Sequence, residues 1–409
     1  MMNPLALVAS LFLVQTFPVE TDLLAPGIPE THTVWVEMIR AARKEIRIGQ
    51  FYVSNAPNSR LEPVLKALET KAAQGVKVKL LLDESMLSND RATYDRLRSK
   101  PGIEVRAYPL KRLTGGIIHA KYLAIDGEKL FVGSQNLVWR ALEHIHEMGL
   151  MVKDPVPTRA LDRIFDIDWE IARTGHLPTP KELESYALPE AGAASPRQAS
   201  GTQPNGERKG GPAAQSESET QVEVVASPPE LTPPGITPAL DRLIELLGSA
   251  QESIEIQVMD FSLKRYGEKK EPWEVLDRAL KDAAARKVEV RLLVADWSTT
   301  GSDLATLKSL AATPGIEVSV CKIPQSTKGF IPFSRVIHSK YLIVDRKTLW
   351  LGTSNWSHGY FMNSRNVELV VQNPRLARQA LGVFERLWSQ PFAQIVTQSS
   401  QFPPPRKGE

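Results

Sequence analysis

The sequence holds a single cysteine, Cys321, in 409 residues. An internal disulfide and any multi-cysteine metal site are therefore excluded. A strong charge of either sign is also lacking: 50 Lys and Arg stand against 47 Asp and Glu, a net +3. The molecule as a whole is not a polycation that coats nucleic acid or membrane, so an anionic substrate must be met by a local patch. Long apolar runs are scarce as well. The run from Leu5 to Phe17 has signal-peptide length and is too short to span a bilayer comfortably. No Lys or Arg precedes it and no clear A-x-A site follows. Two readings stay open: a leader over residues 1–18, implying an exported protein, or a buried apolar segment.

What is present is a short stretch that occurs twice. The first copy runs from His119 through Lys121 to Asp126, then Gly133, Ser134 and Asn136. The second runs from His338 through Lys340 to Asp345, then Gly352, Thr353 and Asn355. Both read H-x-K-x(4)-D-x(6)-G-x-x-N, and each position of the second copy lies 219 residues after its counterpart. One H-x-K-x(4)-D arises by chance in roughly a few per cent of chains this long. Two copies in register, with the same downstream Gly and Asn, are not accidental.

The surroundings repeat too. Pro101-Gly-Ile-Glu-Val105 returns as Pro314-Gly-Ile-Glu-Val318, and Val76-Lys-Val-Lys-Leu-Leu-Leu82 matches Val288-Glu-Val-Arg-Leu-Leu-Val294. Helical and strand patterns alternate in both halves, which predicts α/β sheets with helices on their faces. The division expected is domain 1 over 19–185, a linker over 186–226, domain 2 over 227–396 and a tail over 397–409. Pro189 to Thr220 is rich in Ala, Gly, Ser, Pro, Gln and Glu with almost no large apolar residue, the composition of a disordered linker. The tail from Thr397, ending in three prolines and charges, is read in the same way.

On an extended segment alternate residues share a face, so each histidine sits beside its lysine. An ammonium neutralises a phosphoryl oxygen while an imidazole reaches phosphorus or a bridging oxygen. Two imidazoles suit a two-step reaction through a phosphohistidine, one attacking while the other donates a proton. Lysine is a poor metal ligand, so its duplication argues against a metal site; no cofactor is implied. Asn136 and Asn355 are proposed phosphate ligands, with Ser134 and Thr353 as weaker candidates. Asp126 heads an Asp-Gly hairpin signal, and for Asp126 and Asp345 a structural role stands beside a catalytic one. The carboxylate that orients a histidine is sought in Glu147 and Glu368, which do not align: Glu147 falls opposite Asn366. His144 and His146 could contact substrate. Phe51, Tyr52, Phe333 and Arg335 could line the site or serve only packing.

These motifs resemble the phospholipase D superfamily over nearly the whole chain outside the linker and termini. The resemblance implies two tandem α/β sandwich domains related by pseudo-twofold symmetry, with the site between them. Arg112-Leu-Thr-Gly-Gly116, Ile331-Pro-Phe-Ser-Arg335 before Ile337-His-Ser-Lys340, and Gly352-Thr-Ser-Asn-Trp-Ser357 look like the animal lysosomal phospholipase-D-like proteins. Those are 5′ exonucleases on single-stranded nucleic acid, with lipid transphosphatidylation also attributed to them. By similarity His119 is the nucleophile and His338 the acid/base; the residues alone leave the order open. The animal proteins are disulfide-bonded, and here this chain departs from them. The substrate expected is single-stranded nucleic acid or a phospholipid, and no protein partner is implied.

Overall fold

The computed structural model describes residues 10–188, 220–265 and 272–408. The run expected to be a linker falls mostly outside them. Two mixed sheets form the frame. The first orders its seven strands Leu11–Thr16, Glu147–Val152, Lys129–Gly133, Tyr122–Ile125, Glu45–Gln50, Lys77–Asp83 and Ile103–Tyr108. The second has nine: Thr237–Pro238, Val222–Ser227, Asn366–Gln372, Thr348–Gly352, Tyr341–Val344, Ser253–Val258, Glu289–Ala295, Ile316–Cys321 and Ala393–Ile395. Pairs joined by a helical crossover are parallel and pairs joined by a tight hairpin antiparallel, as loop length requires.

Each sheet takes in one strand from beyond the domain bounds expected from the sequence. Leu11–Thr16 pairs antiparallel with Glu147–Val152. Val222–Ser227 pairs in the same way with Asn366–Gln372. The apolar run near the N-terminus thus supplies a buried strand from Leu11 on, and the second domain begins before residue 227. Without these strands, Glu147–Val152 and Asn366–Gln372 would each expose a row of backbone donors and acceptors. The tail is also placed. Lys407 O accepts from Phe333 N at 2.7 Å and Gln398 Nε2 donates to Lys308 O at 2.8 Å. Phe402 packs on the second domain's core. Its prolines do not prevent docking, because side chains and a few carbonyls supply the contacts.

Long helices follow the strands Glu147–Val152 and Asn366–Gln372. In Pro155–Thr174 the Asp154 side chain accepts from Val156 N, and Pro155 sits where no N–H is needed. Leu161, Ile164, Phe165, Asp168 and Ile171 mark its buried face. Pro374–Trp388 is built alike, with Asn373 as its cap. One hydrophobic core draws on both helices and on both sheets, with Leu130 and Val132 from one repeat and Leu349 and Leu351 from the other. Among the described residues no helix is long and apolar enough to cross a membrane.

An ion pair crosses this core. Arg365 and Asp168 are both fully buried and meet at 2.8 Å. The guanidinium also donates to Ser227 O at 2.8 Å and Leu231 O at 2.9 Å, and Tyr108 donates to the carboxylate at 2.9 Å. Removing one partner leaves the other charged and dry. Asp168→Ala is expected to cost about 3–5 kcal/mol of unfolding free energy in a denaturant titration. A cost under ~1 kcal/mol would show that the pair does not hold the repeats together.

Candidate active site

The two H-x-K stretches lie at the seam between the repeats. His119 and Lys121 precede the strand Tyr122–Ile125 instead of standing in it, and His338 and Lys340 precede Tyr341–Val344 likewise. Their backbone is taken by the opposite repeat. His119 N donates to Arg365 O at 2.8 Å, and His338 N donates to His146 O at 2.8 Å. These short cross-seam bridges bring the two imidazoles to a centroid separation of 6.5 Å.

Each ring is held by the other repeat. His338 Nδ1 lies 3.1 Å from Glu147 Oε2, and His119 Nδ1 lies 3.2 Å from Asn366 Oδ1. With Nδ1 engaged, Nε2 is the ring atom left for chemistry. Asn366 cannot be flipped: its amide nitrogen donates to Tyr360 O at 2.8 Å, while its oxygen accepts from Thr353 Oγ1 at 2.9 Å. Its oxygen therefore faces His119 and fixes the tautomer with hydrogen on Nδ1 and a lone pair on Nε2.

Both lysines are buried. Lys121 Nζ donates to His119 O at 2.6 Å, and Lys340 Nζ to His338 O at 2.5 Å. Burial, then the Lys340 charge, holds Lys121 well below an ordinary ammonium. Burial brings Lys340 down to about 7, against the pull of Glu147 and Asp260. Burial and the two lysines keep both histidines well below 6.5. Glu147 goes the other way: burial pushes it up to about 8 despite Lys340 and Ser134. Desolvation drives every one of these groups toward neutrality, and the opposite charges resist it.

The remaining expected residues divide. Asn136 and Asn355 are buried beside the motifs, and Asn136 Oδ1 and both amide atoms of Asn355 have no protein partner. Ser134 and Thr353 have theirs. Ser134 Oγ lies 3.3 Å from both Met148 N and O, and Thr353 grips Asn366. Their hydroxyls thus support the groups that orient the rings. The motif aspartates lie away from the rings. Asp126 accepts from Arg43 N, Lys44 N and Glu45 N at 2.8 Å each. Asp345 does the same for Gln251, Glu252 and Ser253. Both stand at turns of positive φ, stapling the hairpin to the start of a neighbouring strand.

Glu368 is not a histidine partner: Oε1 accepts from Ser354 Oγ at 2.6 Å, and burial raises it to about 7. The motif glycines are needed for space, not for a turn. A Cβ on Gly352 would lie 2.7 Å from Glu368 Cα, and one on Gly133 2.8 Å from Gly149 Cα. His144 and His146 lend backbone carbonyls to Arg335 and His338. Arg335 pairs with Glu20 at 2.6 Å. Phe51 and Tyr360 flank His119 at 5.7 and 4.8 Å between ring centroids. Sequence reasoning passed over Tyr360 and Asn366, although the offset that set Glu147 against Asn366 was the available signal for the second.

A family model described as "Cardiolipin synthase, PLD-like domain" matches residues 35–169 and 243–388. The chain belongs to the phospholipase D family. As a member it is an enzyme acting on phosphodiesters by hydrolysis or transfer, with two family domains in tandem. It is 30% identical to the mouse 5'-3' exonuclease PLD4, covering 94% of this chain and 79% of that one. It is 28% identical to phospholipase D Z of Dictyostelium discoideum, covering 90% and 86%. Its fold is like that of phosphatidylserine synthase from Haemophilus influenzae, with a TM-score of 0.58, 12% identity, and 89% and 85% of the two chains covered.

Proposed function

We propose that this phospholipase D family member is a metal-independent exonuclease on single-stranded nucleic acid that works through a phosphohistidine on His119. The observation that carries the mechanism is the unlike support of two like rings. Asn366, neutral and acceptor-facing, keeps His119 unprotonated at Nε2 and so nucleophilic. Glu147 can carry charge, so with His338 it forms a pair able to hold and release a proton.

His119 Nε2 forms a bond to phosphorus as the leaving oxygen departs and takes the proton from His338 Nε2. Water then gives its proton to His338 and attacks phosphorus, and the P–N bond breaks. Lys121 and Lys340 neutralise the phosphoryl oxygens, and Asn136 and Asn355 donate to them. The bound phosphodiester's own negative charge offsets the lysines and helps His338 keep its proton.

Support for nucleic acid over lipid comes from the exonuclease relatives and from the half-buried rings Phe51 and Tyr360 beside His119. Aromatic faces stack on bases of any sequence. The second reading, a transphosphatidylase on glycerophospholipids, is favoured by the phospholipase D relative. The two are separated by one assay in EDTA. Single-stranded DNA and RNA, with and without 5′-phosphate, are compared with phosphatidylglycerol and phosphatidylcholine. Nucleotide release from strand ends is expected to exceed lipid turnover; faster turnover of phosphatidylglycerol would replace this reading with the second.

A further inference from the structure

The C-terminal tail and the loop before His338 build a second aromatic surface next to the reacting groups. Gln257 pairs with Tyr341, so the residues after the strand Ser253–Val258 run beside Lys340 and His338. There Asp260 accepts from Ser298 Oγ at 2.9 Å, and Ser298 follows Trp297. Lys407 lies over the Trp297 ring at 5.4 Å, and its Nζ donates to Trp297 O at 3.2 Å. Arg406 lies 3.7 Å from the centre of the Phe330 ring. Phe333 meets Trp297 at 6.3 Å with its ring edge-on, yet is 51% exposed. The loop is not free to move away, because Arg335 within it is buried on Glu20 and Val19 O. Asp296, Trp297, Lys322, Phe330, Arg335 and Arg406 are among the residues that line a cavity of about 220 Å³, and Trp297 joins it to the exposed Phe333.

We infer that this cavity and the exposed Phe333 beside it form a nucleobase subsite, in which a base stacks on Phe333 next to Trp297 while Arg406 and Lys407 meet the adjoining backbone phosphates. It rests on the nuclease reading above and adds where the strand lies. Exposed aromatic faces with cations beside them are what a single strand needs, since stacking is indifferent to sequence and cations track the backbone. The cavity also contains the carboxyl of Asp296. Lys322 and Arg335 line it too, so the carboxylate can accept from a base's exocyclic amino group while cations flank it. Asp260 feels both the Lys340 and the Lys407 ammonium groups, which agrees with the tail lying close to the reacting centre.

The test uses the full chain and synthetic single-stranded DNA in which one abasic nucleotide is walked inward from the end. At the position where the abasic nucleotide costs the wild-type enzyme most, Phe333→Ala should raise KM on the intact strand roughly tenfold with kcat little changed. On the abasic strand it should add no further loss, and Phe333→Trp should restore the intact-strand KM. The double variant Arg406→Ala/Lys407→Ala should flatten the salt dependence of KM by up to about two units of log–log slope. Equal losses for Phe333→Ala on intact and abasic strands, or an unchanged salt slope in the double variant, would overturn the subsite. Absence of strand cleavage by the wild-type enzyme would instead remove the nuclease reading itself.

Discussion

His338→Ala is expected to accumulate a phosphohistidine when the substrate carries a 4-nitrophenolate leaving group, whereas His119→Ala forms none. The reason is that the two rings perform different steps with different demands. A good leaving group departs without a proton, so attack by His119 proceeds without an acid. Water still needs a base to open the P–N bond, so the intermediate persists. On an ordinary nucleotide leaving group both variants lose heavily. Losing general acid–base help costs His338→Ala about 10²–10⁴-fold in kcat. Losing the nucleophile costs His119→Ala at least as much, because the route through the intermediate is closed. The measurement is acid-quenched mass spectrometry of the protein together with a burst experiment. A phosphorylated His338, or a covalent adduct in His119→Ala, would reverse the assignment that Asn366 and Glu147 support.

The second large effect belongs to Glu147. Its carboxyl is raised to about 8 and lies 3.1 Å from His338 Nδ1, so below that pH the pair shares an extra proton. Whichever partner holds it, His338 Nε2 still bears hydrogen. When that hydrogen leaves, Nδ1 is left protonated and the ring becomes a neutral imidazole. In Glu147→Gln the extra proton is missing and the ring would have to become an imidazolate. The expected loss in kcat is about 10²–10⁴-fold on a poor leaving group and far less on 4-nitrophenolate. Wild-type pH dependence follows from the same groups. Lys340 is charged below about 7 and neutral above, so activity falls as pH rises through that point and further as Glu147 loses its proton near 8. His119 must be unprotonated and is held well below 6.5, so the acid limb lies below that value. The profile of kcat/KM should therefore sit on the acid side of neutrality. A plateau extending past pH 9 would show that neither Lys340 nor Glu147 governs it.

Much of the site was legible because duplication writes it twice. His119, Lys121, His338 and Lys340 could be picked out by constant offset, and their joint presence at one seam is what the spacing anticipated. Residues whose role depends on the other repeat were harder to read. Asn366 looks like an unremarkable strand residue until it is seen 3.2 Å from a histidine 247 positions away. For the motif aspartates a turn role and a catalytic one both stood open in one dimension, and the structure selects the first: their carboxylates tie three backbone amides at a turn. The tail misled because its composition is that of a free segment, while the surface it docks on lies more than sixty residues earlier.

The amino-acid order by itself determined the duplication, the alternating α/β pattern and the reactive residue types, since these depend on periodicity and local chemistry. Which acceptor meets which ring was decided only in three dimensions. A strand residue does not encode the partner that will face it, and the unequal surroundings of two equivalent histidines arise where the repeats close on each other. The same closure buries the lysines and the glutamate, and burial is what moves their protons.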